Sequence, residues 1–249
     1  MCSADELVKS TDPLHPANLI PELCENMYRQ GWVTGTGGGI SIRDELKAYI
    51  APSGVQKERI KPEDMFVLTV KDRKIIRAPG RGLKESACTP LFFNAFNIRG
   101  ALSCIHTHSQ NCVMATLLWG KEFRISHQEM IKGVRKAGMT DALTYLDTLV
   151  LPIIENTPNE EDLMEGMAEA MRKYPDAPGV LVRRHGIYVW VERTKTLGPT
   201  WEKAKAQTEC IDYLCELGVK IAEQSTYLLY KMRLAGMRTV PDEGEVIVP

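Results

Sequence analysis

The chain has 249 residues, a formal net charge of -1, 44% hydrophobic residues and 25% charged residues, the composition of a folded globular protein. So balanced a charge gives no general attraction to nucleic acid or to an anionic membrane, so any anion site has to be local. No apolar run reaches the length of a membrane span, and the early acids Asp5 and Glu6 read against a secretory signal. The seven cysteines form no CxxC pair and read as reduced thiols of a cytoplasmic protein.

In chain order, residues 1–16 are polar, carry Pro13 and Pro16, and read as a flexible N-terminal segment ahead of one domain over 17–249. Ala17 to Gln30 has Leu19, Ile20, Leu23 and Met27 at helical spacing, with Gly31 as the stop. After the glycine cluster Gly35 to Gly39, short apolar runs at Ile40–Ile42, Ala48–Ile50, Met65–Val70 and Lys74–Ile76 predict an antiparallel set of strands. Thr89-Pro90 opens a helix to Arg99, with proline in its first turn. Ala101 to Thr107 is a strand, and Ser109 caps a helix to Leu118. His127 to Lys132 is a short helical stretch and Leu149 to Ile154 a strand. Asn159 to Tyr174 is an amphipathic helix with Leu163, Met167 and Met171 on one side. Val180 to Val191 is long for one strand, and Gly186 marks either a bulge or the join of two paired segments. Thr200 to Leu229 is helical. The exposed connections are expected at Ala78–Lys84 and Glu192–Pro199. The expectation is an α/β fold: a single three-layer domain with a mainly antiparallel central sheet and helices on both faces.

The chemistry concentrates at His106-Thr107-His108. Side chains alternate along a strand, so imidazoles two positions apart share a face. A third imidazole, His185, interrupts the apolar run Val180–Trp190 beside Arg183 and Arg184. A polar break of that kind needs a compensating partner, either a metal or an anion. Three imidazoles with one open position form the ligand set of a catalytic zinc site. Gly37, Gly38 and Gly39 offer unobstructed N–H groups to an anion, or else form a flexible turn. Ser53, Gly54 and Ser86 lie in further loops able to bind a phosphate ester. Glu129 is either a general acid–base beside the metal or a solvated helix residue. Cys88, ahead of a helix N-terminus, is either a reactive thiol or a small buried apolar residue.

These blocks, taken together, resemble a known family. Gly31 to Ser41, Ala51 to Ile60, His106 to Ser109, His127 to Gly133, Pro152 to Thr157 and Leu181 to Gly186 occur in the order of the methylthioribulose-1-phosphate dehydratases. That family lies within the class II aldolase/adducin superfamily, and the resemblance spans roughly residues 16–220. It implies one Zn2+ per subunit on His106, His108 and His185, with Glu129 as the acid–base. It also implies substrate contacts from Cys88 and the phosphate loops. The implied reaction is dehydration of 5-methylthioribulose 1-phosphate to the 2,3-diketone phosphate in methionine salvage. Superfamily aldolases carry an Asp or Glu where Ser86-Ala87-Cys88-Thr89-Pro90 has Cys88, which favours dehydration over aldol cleavage. The resemblance further implies a homotetramer with sites at subunit junctions and, in animals, an apoptosome or caspase partner. Two departures stand out. Gly38-Gly39 replaces a frequent Gly-Asn, and the segment 192–199 is longer than the family's link.

Overall fold

The structure, a computed structural model, describes residues 4–136, 139, 141–192 and 200–234. Among these residues, nine strands form one sheet: β1 (Gly39–Asp44), β2 (Lys47–Ile50), β3 (Phe66–Thr69), β4 (Ile75–Arg77), β5 (Ala101–Thr107), β6 (Glu122–Ser126), β7 (Thr148–Ile154), β8 (Gly179–Val182) and β9 (Gly186–Glu192). Their order across the sheet is β4-β3-β2-β1-β5-β9-β8-β7-β6. Every neighbouring pair is antiparallel except β7 and β8. A parallel pair needs a crossover. Here the crossover carries a 3-10 turn (Glu160–Asp162) and a helix (Leu163–Lys173).

Alternation along the strands sends side chains to two separate cores. On one face, Cys104, Tyr188 and Trp190 pack with Leu91, Phe92 and Phe96 of α2 (Thr89–Ile98) and with Leu163, Met167 and Met171 of α4 (Leu163–Lys173). On the other face, Ile40, Ile105 and Val191 meet Leu19, Ile20 and Leu23 of α1 (Pro16–Arg29). Leu151, Leu181 and Val189 on that face meet Cys112 and Ala115 of α3 (Gln110–Leu118) and Ile211 and Leu214 of α5 (Thr200–Leu234). The three-layer, mainly antiparallel arrangement is therefore the one expected from the sequence.

Two details differ, and one alternative left open by the sequence is decided. Residues Ala4–Val8, read as part of a flexible segment, form a 3-10 turn. Val8 of that turn enters the core, and Asp5 pairs with the buried Arg77. Strand β6 was not expected: it is a short edge strand whose pairing with β7 runs from Glu122 opposite Pro152 to Ser126 opposite Thr148. The run Val180–Val191 is two paired strands, with residues 183–185 as the turn between them. The connection 78–84 is largely exposed, as expected, whereas residues 193–199 lie outside the described residues.

The β8–β9 turn is held tightly. Arg184 is in the left-handed region at φ 57°. A Cβ added to Gly186 would lie 1.9 Å from the carbonyl oxygen of Thr107. Backbone cannot yield that much without separating β9 from β5. Gly186→Ala is therefore expected to destabilise the fold by about 2–4 kcal/mol or to prevent folding. Urea unfolding of the purified variant measures this, and an unchanged midpoint would contradict it.

Candidate metal centre

His106 lies on the last turn of pleat in β5, on the α2/α4 face, and is fully buried. Its ring stacks on Tyr188, centroids 4.0 Å apart and planes 5° apart. His108 leaves the strand two residues later, and its backbone N–H donates to the Trp32 carbonyl at 2.7 Å. His185 is the last residue of the β8–β9 turn rather than a strand residue. The pairing of Thr107 with Ile187 brings the ends of β5 and β9 side by side. The turn thereby folds His185 onto the other two rings.

The geometry is that of a group able to hold a metal ion. His108 Nε2 lies 3.0 Å from His106 Nε2 and 3.0 Å from His185 Nε2. The opposite nitrogens of two rings are already engaged. His106 Nδ1 is 3.0 Å from the Ile187 carbonyl oxygen, and His185 Nδ1 is 3.0 Å from Asn156 Oδ1. A ring that donates from Nδ1 presents a lone pair at Nε2, the tautomer a metal requires. The side chains of His106, His108 and His185 form a group able to hold an ion, and this donor chemistry fits one.

Burial and their neighbours keep the His106 and His108 rings neutral. Burial, then the neighbouring His108 and His185, hold His106 well below the ordinary histidine value. Burial, then His185 and Lys57, bring His108 down to about 4. Neutral imidazole is the ligating form, so protons do not compete with an ion near neutral pH.

The expected anion loops lie around the rings with altered roles. A Cβ on Gly37 would stand 2.4 Å from His108 Nδ1, so this glycine lets the loop lie against the ligand ring. Gly38 and Gly39 are buried, and Gly39 is already paired opposite His106, so neither forms an open cradle. Ser53 donates its N–H to the Lys84 carbonyl at 2.9 Å, with Gly54 exposed beside it. Ser86 Oγ accepts from the Cys88 N–H at 3.2 Å. Lys57, not among the residues expected at the site, is 3% exposed and donates to the carbonyls of Thr36 at 2.7 Å and Val55 at 3.3 Å. It fastens the two loops together, and burial lowers its pKa.

Cys88 is the N-cap of α2 and is buried. Burial, then the Glu160 carboxylate, push its thiol up to about 12. It is a neutral thiol facing the site, not the activated thiolate that a helix N-terminus alone would suggest. Arg183 finds its partner away from the rings. Its guanidinium donates to the carbonyls of Thr116, Trp119 and Gly120 at the end of α3, and to Glu155 at 2.8 Å.

Glu129 is not brought to the rings within one chain. It opens a 3-10 turn (Glu129–Gly133) just beyond β6, with its side chain 75% exposed and paired with Lys132 at 2.9 Å. Ser126 pairs with Thr148 at the start of β7, whereas the rings sit by the other end of that strand. Six residues of strand at about 3.3 Å each separate the two ends by about 20 Å.

Residues 18–219 match the class II aldolase and adducin N-terminal domain. The chain belongs to the class II aldolase and adducin family. Within it, the relatives are proteins named methylthioribulose-1-phosphate dehydratase, a hydro-lyase. The protein of Laccaria bicolor is 63% identical, over 97% of this chain and 98% of the relative. That of Osmerus mordax is 59% identical over 85% of this chain and 86% of the relative, and that of Mus musculus 58% over 84% and 85%. The chain is a member of that dehydratase family. Solved class II aldolase structures share the fold. An L-fuculose 1-phosphate aldolase superposes with a TM-score of 0.62 at 18% identity, covering 94% of this chain and 92% of its own. The L-fuculose-1-phosphate aldolase of Thermus thermophilus gives 0.59 at 18% identity, covering 88% and 96%.

The neutral rings set a pH dependence for the metal-free protein. In the unfolded chain a histidine takes up its proton below about pH 6.5. In the fold, His108 does so only near 4, and His106 is likewise held well below its ordinary value. The unfolded state therefore binds more protons in that window, and stability falls as pH drops from 6.5 toward 4. Thermal melts of chelator-treated protein across this range check it. His108→Gln is expected to flatten the decline.

Proposed function

We propose that the chain is a zinc-dependent methylthioribulose-1-phosphate dehydratase of methionine salvage. One observation carries the reading: the Nε2 atoms of three histidines converge, that of His108 lying 3.0 Å from each of the other two, in a chain whose relatives at 56–63% identity bear that name. His106, His108 and His185 would hold the ion, which when bound polarises a ketone oxygen and makes the adjacent C–H more acidic.

The chain's own residues account for the rest. The loop that carries Gly37, the Ser53-Gly54 turn and the Ser86 hydroxyl hold the phosphate ester, and Lys57 stiffens the first two of these loops. A substrate fixed at one end brings its reacting carbons to a set distance from the rings. The neutral Cys88 thiol packs beside the sugar. Cys88 occupies the place where the aldolases of the superfamily bear a carboxylate. This absence supports loss of water over carbon–carbon cleavage. Glu129 takes the C3 proton and returns one to the departing C4 hydroxyl. Water leaves, and the resulting enol tautomerises to the diketone.

Glu129 performs this step on a neighbouring subunit. Its position a sheet's length from its own rings supports this, as does the surface around it. Met130, next to it in the chain, and Tyr145 and Leu146, beside His127, are exposed apolar residues, Leu146 at 75%. An apolar patch of this kind beside a charged catalytic group fits a contact between copies of the chain, in keeping with a homotetramer.

Glu129→Gln is expected to keep its metal and lose about 10²–10⁴ in turnover, whereas His106→Ala loses the metal itself. Diketone formation and metal content, measured on both variants, test the assignment. Co-assembling the two inactive variants in equal amounts tests the shared site. About a quarter of junctions would receive both intact residues and recover activity. No recovery would place Glu129 and the rings in one subunit.

A further inference from the structure

A second carboxylate, Glu160, stands over the rings. It belongs to the same chain and opens the 3-10 turn in the β7–β8 crossover. Its Oε1 lies 3.4 Å from His106 Nε2 and its Oε2 lies 3.3 Å from His185 Nε2. The Tyr188 hydroxyl donates to Oε1, and the side chain is only 17% exposed. Tyr188 is also the residue on which the His106 ring stacks, so one side chain orients both groups.

These contacts lack a proton to join them. His106 and His185 each have Nδ1 against an oxygen acceptor, the Ile187 carbonyl and Asn156 Oδ1. With the proton on Nδ1, each Nε2 carries a lone pair. Two lone-pair nitrogens facing two carboxylate oxygens at 3.3–3.4 Å repel one another. A cation between them turns the repulsion into attraction. The spacing suits this: donor atoms bonded to one tetrahedral zinc at about 2.0–2.1 Å lie about 3.3 Å apart along each edge.

We propose that Glu160 is the fourth protein ligand of the metal in the substrate-free enzyme, which closes a three-histidine, one-glutamate centre. This rests on the metal reading above and adds to it. The crossover is the route by which this chain brings a carboxylate to the metal in cis. The helix α2 entry, where Cys88 sits, does not supply one. Glu160 and Glu129 thus have separate duties: one contacts the ion, and the other moves protons from the adjoining subunit.

The deciding experiment is a crystal structure of the zinc-loaded, substrate-free protein. A Glu160 oxygen within about 2.0–2.2 Å of zinc is expected. A water in that position, with Glu160 beyond about 3 Å, would overturn the proposal yet leave the three-histidine centre standing. In solution, chelator competition on wild type, Glu160→Gln and His106→Ala gives the zinc dissociation constants. Glu160→Gln is expected to raise the constant about tenfold or more, and an unchanged constant argues against ligation. Zinc retained by His106→Ala would sink the centre itself. A thermal melt of metal-free Glu160→Gln shows that the variant is folded, and Glu160→Asp serves in its place if it is not.

Discussion

The pairing of β5 with β9 is the contact on which the rest depends. It sets Thr107 opposite Ile187 and carries Gly186 across the Thr107 carbonyl with no room for a Cβ. That approach does three things at once. It lays the Tyr188 ring on His106, offers the Ile187 carbonyl to His106 Nδ1, and turns His185 inward. His106 thus takes its orientation from backbone in the middle of the sheet, and His108 and His185 are carried on the strand end and the tight turn fixed beside it. Rings held this way lose little entropy when they meet an ion, because it was already lost in folding.

Charge arrangement follows from the same framework. The two cores on either face of the sheet exclude water from His106, so its imidazole stays neutral and ready to ligate. Lys57 is a buried ammonium solvated by two backbone carbonyls, and its burial is tolerated because it joins loops that would otherwise be held by glycine-rich backbone alone. Burial acts on Cys88 in the opposite sense and keeps its thiol protonated. Ligand, cation and thiol sit within one small volume, and burial is the first cause of the pKa shift of each.

Much of this was legible in the sequence. His106, His108 and His185 stood out because polar rings in apolar strand-like runs are costly without a partner. The helices announced themselves by the spacing of Leu19, Leu23 and Met27, and of Leu163, Met167 and Met171. The three-layer fold followed from short strands interleaved with such helices. Other features were hidden for physical reasons. β6, Glu-Phe-Arg-Ile-Ser, is an edge strand with only Phe123 fully buried, so it lacks a continuous apolar signal. Glu160 sits in Asn-Glu-Glu-Asp, which reads as the acidic first turn of a helix; only the crossover path carries it to the rings. The destination of Arg183 was not readable from its place beside His185: its long guanidinium reaches the carbonyl end of α3. The separation of Glu129 from the rings depends on the direction of β6, which no local pattern encodes.

His108 and His185 are 77 positions apart in the chain, and the strands that unite them are the innermost of the sheet. Contacts so distant in sequence form slowly, because a long loop must close before they repay its entropy. No fragment short of the assembled central strands can gather the three rings. An ion held by these rings would therefore not template the fold from its early stages; it would bind only to molecules whose central strands are already assembled.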